Sequence, residues 1–155
     1  MSSADHRQPS ADIYALCERL MGMSDEAWAR HAHPLSAYSR IFSATPMFIA
    51  AWSPFWIGWW GAGLIALVLA WLWLNPRLFS PPQTTDSWAT RAVLGERAFL
   101  ARKTQPVPQE HVRVAHITTG ISVMFLMLTV VGFYLVQFWT AFAAWHAAAL
   151  AKVWF

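Results

Sequence analysis

Charge is what this sequence has least of. Only 12% of its 155 residues are Asp, Glu, Lys or Arg, about half the share usual in soluble domains. The shortage is concentrated in two stretches. None of the four residue types occurs from Ile41 to Pro76 or from Val114 to Ala151. Cysteine is nearly absent: Cys17 stands alone, which excludes an internal disulfide framework. No apolar leader opens the chain. Asp5, Arg7, Asp12, Glu18 and Arg19 all fall in the first twenty residues, so a cleavable signal peptide is not expected and membrane segments must direct insertion themselves. No paired carboxylates lie in the apolar runs. There is no Gly-rich phosphate loop, and no Ser/His/Asp arrangement emerges from spacing, so catalysis finds no support. Lys and Arg are not clustered with aromatics, which argues against nucleic acid.

What is abundant is apolar bulk. Hydrophobic residues make up 57% of the chain, and eleven are tryptophan. One bilayer crossing needs about 20 apolar residues. As a single helix, the run from Ile41 to Pro76 would be about 54 Å long, against a hydrocarbon core of about 30 Å. It must turn back, and Ser53-Pro54 is the natural place. This predicts one helix over 37–52, with Pro46 as a kink, and another over 56–74. The second run poses the same problem. Its only conventional breaker is Gly132, so a turn is expected within 132–138, with one long helix over 114–151 as the alternative.

The expected fold is therefore an all-α integral membrane protein with four membrane helices in two hairpins. Short amphipathic helices on the cytoplasmic surface complete it. The divisions are 1–36, an N-terminal cytoplasmic tail with surface helices; 37–74, the first membrane hairpin; 75–113, a cytoplasmic loop with an amphipathic helix; and 114–155, the second membrane hairpin. Ser10 can cap a helix through Met21, and Ser24 another that stops near His33, because Pro34 disfavours the α conformation before it. A third covers 88–103, "WATRAVLGERAFLARK", read as lying on anionic headgroups.

Orientation follows from the basic residues. With both turns outside, all eleven Lys and Arg fall on one side: four before residue 41, six from Arg77 to Arg113, and Lys152. This satisfies the positive-inside rule. The expected location is the inner (cytoplasmic) membrane with both termini cytoplasmic. Trp52, Trp56, Trp59, Trp60 and Trp139 then gather at the outer interface, and Trp71, Trp73 and Trp154 at the inner one. Arg40 and Arg77 are expected at the inner headgroup level.

A few side chains invite chemical readings. His31 and His33 have the residue type for zinc or copper, but two ligands do not make a site. His6, His111, His116, Glu26 and Glu110 lie on the same expected face, yet no spacing matches a known metal motif, so no metal is expected. His146 sits inside an expected membrane helix, where ionisable residues are functional candidates by default. It can ligate haem or chlorophyll, or it can be a neutral imidazole bonded to Ser122, Ser43, Thr45 or a carbonyl freed by Pro46. The second reading is preferred, because no second histidine lies at its depth. Gly58, Ala62, Ala66 and Ala70 form one small-residue ridge, and Ala143, Ala147 and Ala151 another. Such ridges let helices approach closely, within the bundle or towards a partner.

The pieces "WARHAHPLSAYSR", "WLWLNPRLF", "WATRAVLGER" and "KVWF" resemble an uncharacterised prokaryotic family of small multi-helix membrane proteins, a domain of unknown function. The first follows a His-x-Asn-Pro-x-Ser-x-Trp-x-Arg pattern at His31, Pro34, Ser36 and Arg40, with His33 in place of the Asn and Tyr38 in place of the Trp. The second follows Trp-x-Asn-Pro-Arg-x-Phe. An amide where His33 stands argues against a metal pair. The resemblance implies no activity. The expectation is a small non-enzymatic scaffold or accessory subunit, in contact with lipid and with other membrane subunits or itself. A haem- or chlorophyll-binding redox or light-harvesting protein using His146 is the alternative, and a small channel or transporter the third.

Overall fold

The computed structural model describes residues 22–102 and 106–153. The helix expected over 10–21, His6, Cys17, Lys103 and Trp154 lie outside them. Among the described residues the protein is all-helical: α1 (Asp25–His31), α2 (Pro34–Phe42), α3 (Ala44–Trp52), α4 (Pro54–Ile57), a 3-10 turn (Gly58–Trp60), α5 (Gly61–Leu78), α6 (Trp88–Leu100), α7 (Gln109–Tyr134) and α8 (Phe138–Val153). Two stretches, 34–78 and 109–134, are long and apolar enough to cross a membrane by length and composition.

The helix ends follow local chemistry. Ser24 caps α1, its Oγ accepting from the Ala27 N–H at 3.2 Å, with Asp25 and Glu26 in the first turn where the dipole favours acids. Pro34 and Pro54 each stand at the start of a helix, where a missing N–H costs nothing. Pro46 lacks the N–H that would reach the Phe42 carbonyl. The first long helix accordingly breaks at Ser43 into α2 and α3, where a kink was expected. α5 starts at Gly61, five residues later than expected, because 54–60 are spent on the turn. It continues through Asn75 and Pro76, both buried, to Leu78. α7 likewise begins at Gln109, ahead of the expected 114.

The chain doubles back twice. Ser36 and Ser39 meet Asn75, Ser43 meets Trp71, and Ser53 lies against Gly61, so α5 runs antiparallel to α2 and α3. Gly61 is needed there, because a Cβ would stand 2.6 Å from Ser53 Oγ and 2.7 Å from the Pro54 nitrogen. α8 runs back along α7 in the same way, with Gly132 against Ala141 and Ser122 bonded to the Ala148 carbonyl. Gly132 does not make the turn. Its missing Cβ would lie 2.7 Å from the Ala141 nitrogen, so it permits the helix crossing. The reversal falls at Leu135, Val136 and Gln137. Val136 N–H donates to the Phe133 carbonyl and Gln137 N–H to that of Gly132, at 3.1 and 2.8 Å. This is a Schellman cap, with Val136 at the left-handed position (φ +54°) that glycine usually fills.

The two antiparallel pairs meet through aromatics. Phe48 and Trp52 are buried among Phe133, Phe138, Phe142 and Trp145. Trp52 therefore belongs to this core and not to an interface girdle. Phe55 against Phe133 and Trp56 against Phe138 bring both turns to one end of the molecule. At the opposite end α6 packs Ala89 and Val93 on Trp28, Ala32 and Ala37 of the α1–α2 region. One apolar face of α6 thus rests on protein, while Trp88 and Leu94 stay exposed. Arg97 pairs with Asp25, and Glu96 with Lys152 at 2.9 Å.

Candidate functional site

The quoted stretch from Trp28 to Arg40 and the Asn75-Pro76-Arg77 corner fold onto each other. Arg40 Nη1 lies 3.1 Å from His31 Nε2. A guanidinium has only donors, so Nε2 accepts and the imidazole proton sits on Nδ1. Nδ1 then donates to Ser36 Oγ at 3.3 Å. Ser36 donates to Asn75 Oδ1 at 2.8 Å, Asn75 Nδ2 to Ser39 Oγ at 2.6 Å, and Ser39 Oγ to the Ser36 carbonyl at 2.9 Å. The result is one directed chain of hydrogen bonds across α1, α2 and α5. His31, Ser36 and Asn75 are all buried. Burial, reinforced by the Arg40 charge and partly offset by Glu96, pushes the His31 pKa from its ordinary 6.5 to about 4. The ring is a neutral relay between a cation and a hydroxyl.

His33 does something different. Its Nδ1 accepts from the Leu35 N–H at 3.2 Å and so caps α2, and its ring stacks on Phe79. An Asn at that position would cap in the same manner, so a histidine in place of an amide preserves the role. His31 and His33 engage different partners, Arg40 and Ser36 for the first and the Leu35 N–H and Phe79 for the second. Among the described residues, no group of three or more His, Cys, Asp or Glu is placed to hold a metal ion. Glu26 pairs with Arg30 at 2.5 Å, and His116 sits edge-on to Phe99.

Beside the network lies a cavity of about 450 Å³. His31 and Arg40 form part of its wall with Trp28, Trp88, Glu96 and Lys152. Its remaining lining is largely apolar and includes Ile41, Ala44, Met47, Trp145, Ala149 and Val153. It occupies the gap left where α2 and α3 part from α8, with α6 as floor. Among the described residues, the Arg40 guanidinium has one hydrogen bond, to His31. The neighbouring Glu96 carboxylate is bonded to Lys152.

Arg77 closes the corner. It lies 3.9 Å over the Trp73 ring, donates to the Trp73 carbonyl, and reaches the Gly22 carbonyl at 3.2 Å. Arg30 donates to the Arg77 carbonyl at 3.2 Å, satisfying a helix end. Trp71 donates to Ser43 Oγ at 2.9 Å. Trp59 and Trp60 stack on each other, exposed, at the first turn.

His146 has both ring nitrogens engaged. Nδ1 donates to the Phe142 carbonyl at 2.8 Å, and Thr45 Oγ1 lies 2.9 Å from Nε2. Of the partners expected for it, Thr45 is the one in contact. Ligation of a tetrapyrrole metal through Nε2 would first have to break this bond. The expected ridges are not the contacts that hold the described helices together. Gly58 is in the turn with φ +60°, and Ala62, Ala66 and Ala70 face away from the rest of the chain. On α8 the buried set is Ala141, Ala144 and Ala148, while Ala143 is exposed and Ala147 and Ala151 are half-buried. Sequence reasoning missed Ser39 and Asn75 as members of one network. The signal was present: an amide near the end of an apolar helix, and hydroxyls at three- and four-residue spacing opposite it.

No curated protein and no solved structure matches this chain. A family model does match, and it spans residues 13–155, both halves of the network and every wall of the cavity included. The chain belongs to DUF6653, a family of unknown function.

Proposed function

We propose that the chain is a four-helix integral membrane protein of the inner membrane, built as two hairpins with both turns outside and the charged end cytoplasmic. It acts as a non-enzymatic scaffold or accessory subunit. The observation that carries this reading is an inverted pattern of burial. Leu67, Met127, Val130 and Leu150 are each 66–68% exposed, while Ser36, Asn75, Thr118 and Thr129 are buried. In water this arrangement would be costly; in lipid it is the ordinary one. The clustering of Arg and Lys away from both turns supports the orientation. Among the described residues nothing packs on the face carrying Ala62, Ala66 and Ala70, which supports a helix from another subunit or a second copy as its neighbour.

Two experiments test the proposal. Reporter fusions after Ser87 and at the C-terminus should report cytoplasm, and one at Ser53 the outer side. An outer location for Ser87 sinks the topology. Cross-linking in native membranes from cysteines placed at Ala62 or Ala66 should capture a protein neighbour. If both sites yield only free chain, the subunit role fails.

A further inference from the structure

We propose that the cavity beside Arg40 is a binding site for an anionic phospholipid of the surrounding leaflet, with its phosphodiester on the Arg40 guanidinium. The inference rests on the membrane reading above. The cavity's volume, about 450 Å³, is in the range of ligand pockets. Its polar side chains, Arg40, His31, Glu96 and Lys152, lie together above the α6 floor of Ala89 and Val93. Ile41, Ala44 and Met47 follow along α2 and α3, and Met47 lies about 10 Å beyond Arg40 at 1.5 Å per residue. Ala149 and Trp145 line the facing side on α8. That is the shape of an amphiphile: a charged head below, an acyl stem above.

The charge balance selects an anion. His31 offers Arg40 only a neutral acceptor; the lining carboxylate, Glu96, acts on Arg40 through space but is hydrogen-bonded to Lys152, so the lining keeps one positive charge in excess. The guanidinium has five N–H donors, and among the described residues it makes one bond. The fork that remains matches two oxygens of a phosphodiester. The His31 relay holds the guanidinium from behind, fixing where its open edge lies. Trp88, half-exposed at the cavity, is the kind of amphipathic residue that favours the headgroup level.

The test uses the full chain in neutral-detergent micelles, titrated with dioctanoyl phosphatidylglycerol. Binding is read by tryptophan fluorescence, and stoichiometry by native mass spectrometry. The expected result is saturable binding of one lipid per chain. Arg40→Gln should weaken it at least about tenfold, because a charge-assisted hydrogen bond is lost, whereas Arg40→Lys should weaken it less. Met47→Trp, which fills the apolar end and leaves the charges in place, should weaken it as well and serves if Arg40→Gln does not fold. Arg91→Gln, away from the cavity, should bind as wild type. The proposal is overturned if dioctanoyl phosphatidylcholine binds equally well. Displacement of the lipid by inorganic phosphate at the same concentration overturns it too, since the site would then belong to a free anion. It also fails if Arg40→Gln and Met47→Trp both bind as wild type. A chain that does not float with phosphatidylglycerol vesicles refutes the membrane reading itself; one that floats while the Arg40 variant is indifferent refutes only this site.

Discussion

Asn75 and His31 are the residues on which the inner polar chain turns. A hydrogen bond between membrane helices averages about 0.6 kcal/mol, and the Ser36 hydroxyl makes two, with His31 and Asn75, so Ser36→Ala should cost about 1 kcal/mol. Asn75→Leu removes both an acceptor and a donor and puts a branched side chain where no free surface exists. It should cost about 2–3 kcal/mol, read as a fall in the fluorescence melting temperature in detergent. A cost no larger than that of Ser36→Ala would mean that the network is slack. His31 gives a pH signature. Its folded pKa, about 4, lies below its ordinary 6.5. Between these values the unfolded chain binds the extra proton, so stability is complete above pH 6.5 and falls as the pH drops towards 4, by about 1.4 kcal/mol per unit. Melting temperatures across that window should show the slope, and His31→Gln should flatten it. Neither residue was fully legible beforehand. His31 was visible as a ligand candidate, but its real partners, Arg40 and Ser36, are chosen by the turn at Pro34. Asn75 read as part of an exit from the bilayer because proline follows it, whereas the helix runs on past both.

Among elements, the tight reversal between α7 and α8 shows how little of a turn pattern discloses. The length of the uncharged run required a reversal near 132–138, and Gly132 was the obvious breaker. The chain uses Val136 for the turn and saves the glycine for the crossing, since a Cβ at 132 collides with backbone that cannot move aside. Two opposite outcomes follow. Val136→Gly should raise stability by about 1 kcal/mol, because a β-branched residue at positive φ is strained. Gly132→Ala should lower it by about 1–3 kcal/mol through overpacking. Gly63→Ala, with open space around it, should be neutral or stabilising by about 1 kcal/mol through helix propensity alone. Equal effects at 63 and 132 would contradict the close crossing. The alanine ridge on α8 was misphased for the same reason: the Gly132–Ala141 contact sets which face turns inward, and repeat spacing cannot.

For the molecule as a whole, the question is which joint holds the two antiparallel pairs together. At one end Phe48 and Trp52 interlock with Phe133, Phe138 and Phe142. At the other, α6 packs on the α1–α2 region, and ion pairs tie it to its neighbours, Arg97 to Asp25 of α1 and Glu96 to Lys152 of α8, with side chains from about a third to nine-tenths exposed. Exposed pairs contribute about 0–1 kcal/mol each and are screened by salt. High salt should therefore barely move the melting temperature. Phe48→Ala should cost about 2 kcal/mol or more; on the membrane reading proposed above this is less than the 3–5 typical of a water-soluble core, because lipid would remove the transfer part. A melting temperature that collapses in salt would reverse this ranking. The all-helical character and the two long apolar stretches were readable from the uncharged runs alone. The aromatic joint was not, because Trp52 and Trp145 look like any interfacial tryptophan until a partner covers them.

The hydrogen bonds between the two halves are unequal in direction. Ser36, Ser39, Ser43, Trp71 and Asn75 satisfy one another inside the first half. His146 and Trp145 depend on Thr45 and the Ala44 carbonyl, which that half supplies. Translation makes the lender before the borrower. A ribosome-bound chain thus has the polar contacts within its first pair of helices formed while the second is still being made, and the late pair needs an acceptor already in place. Arresting synthesis after residue 105 should leave the early segment protected from membrane proteases. Expressing the late segment alone should leave it exposed to them, and addition of the early segment in trans should rescue it. Equal protection of the two segments alone would remove the dependence.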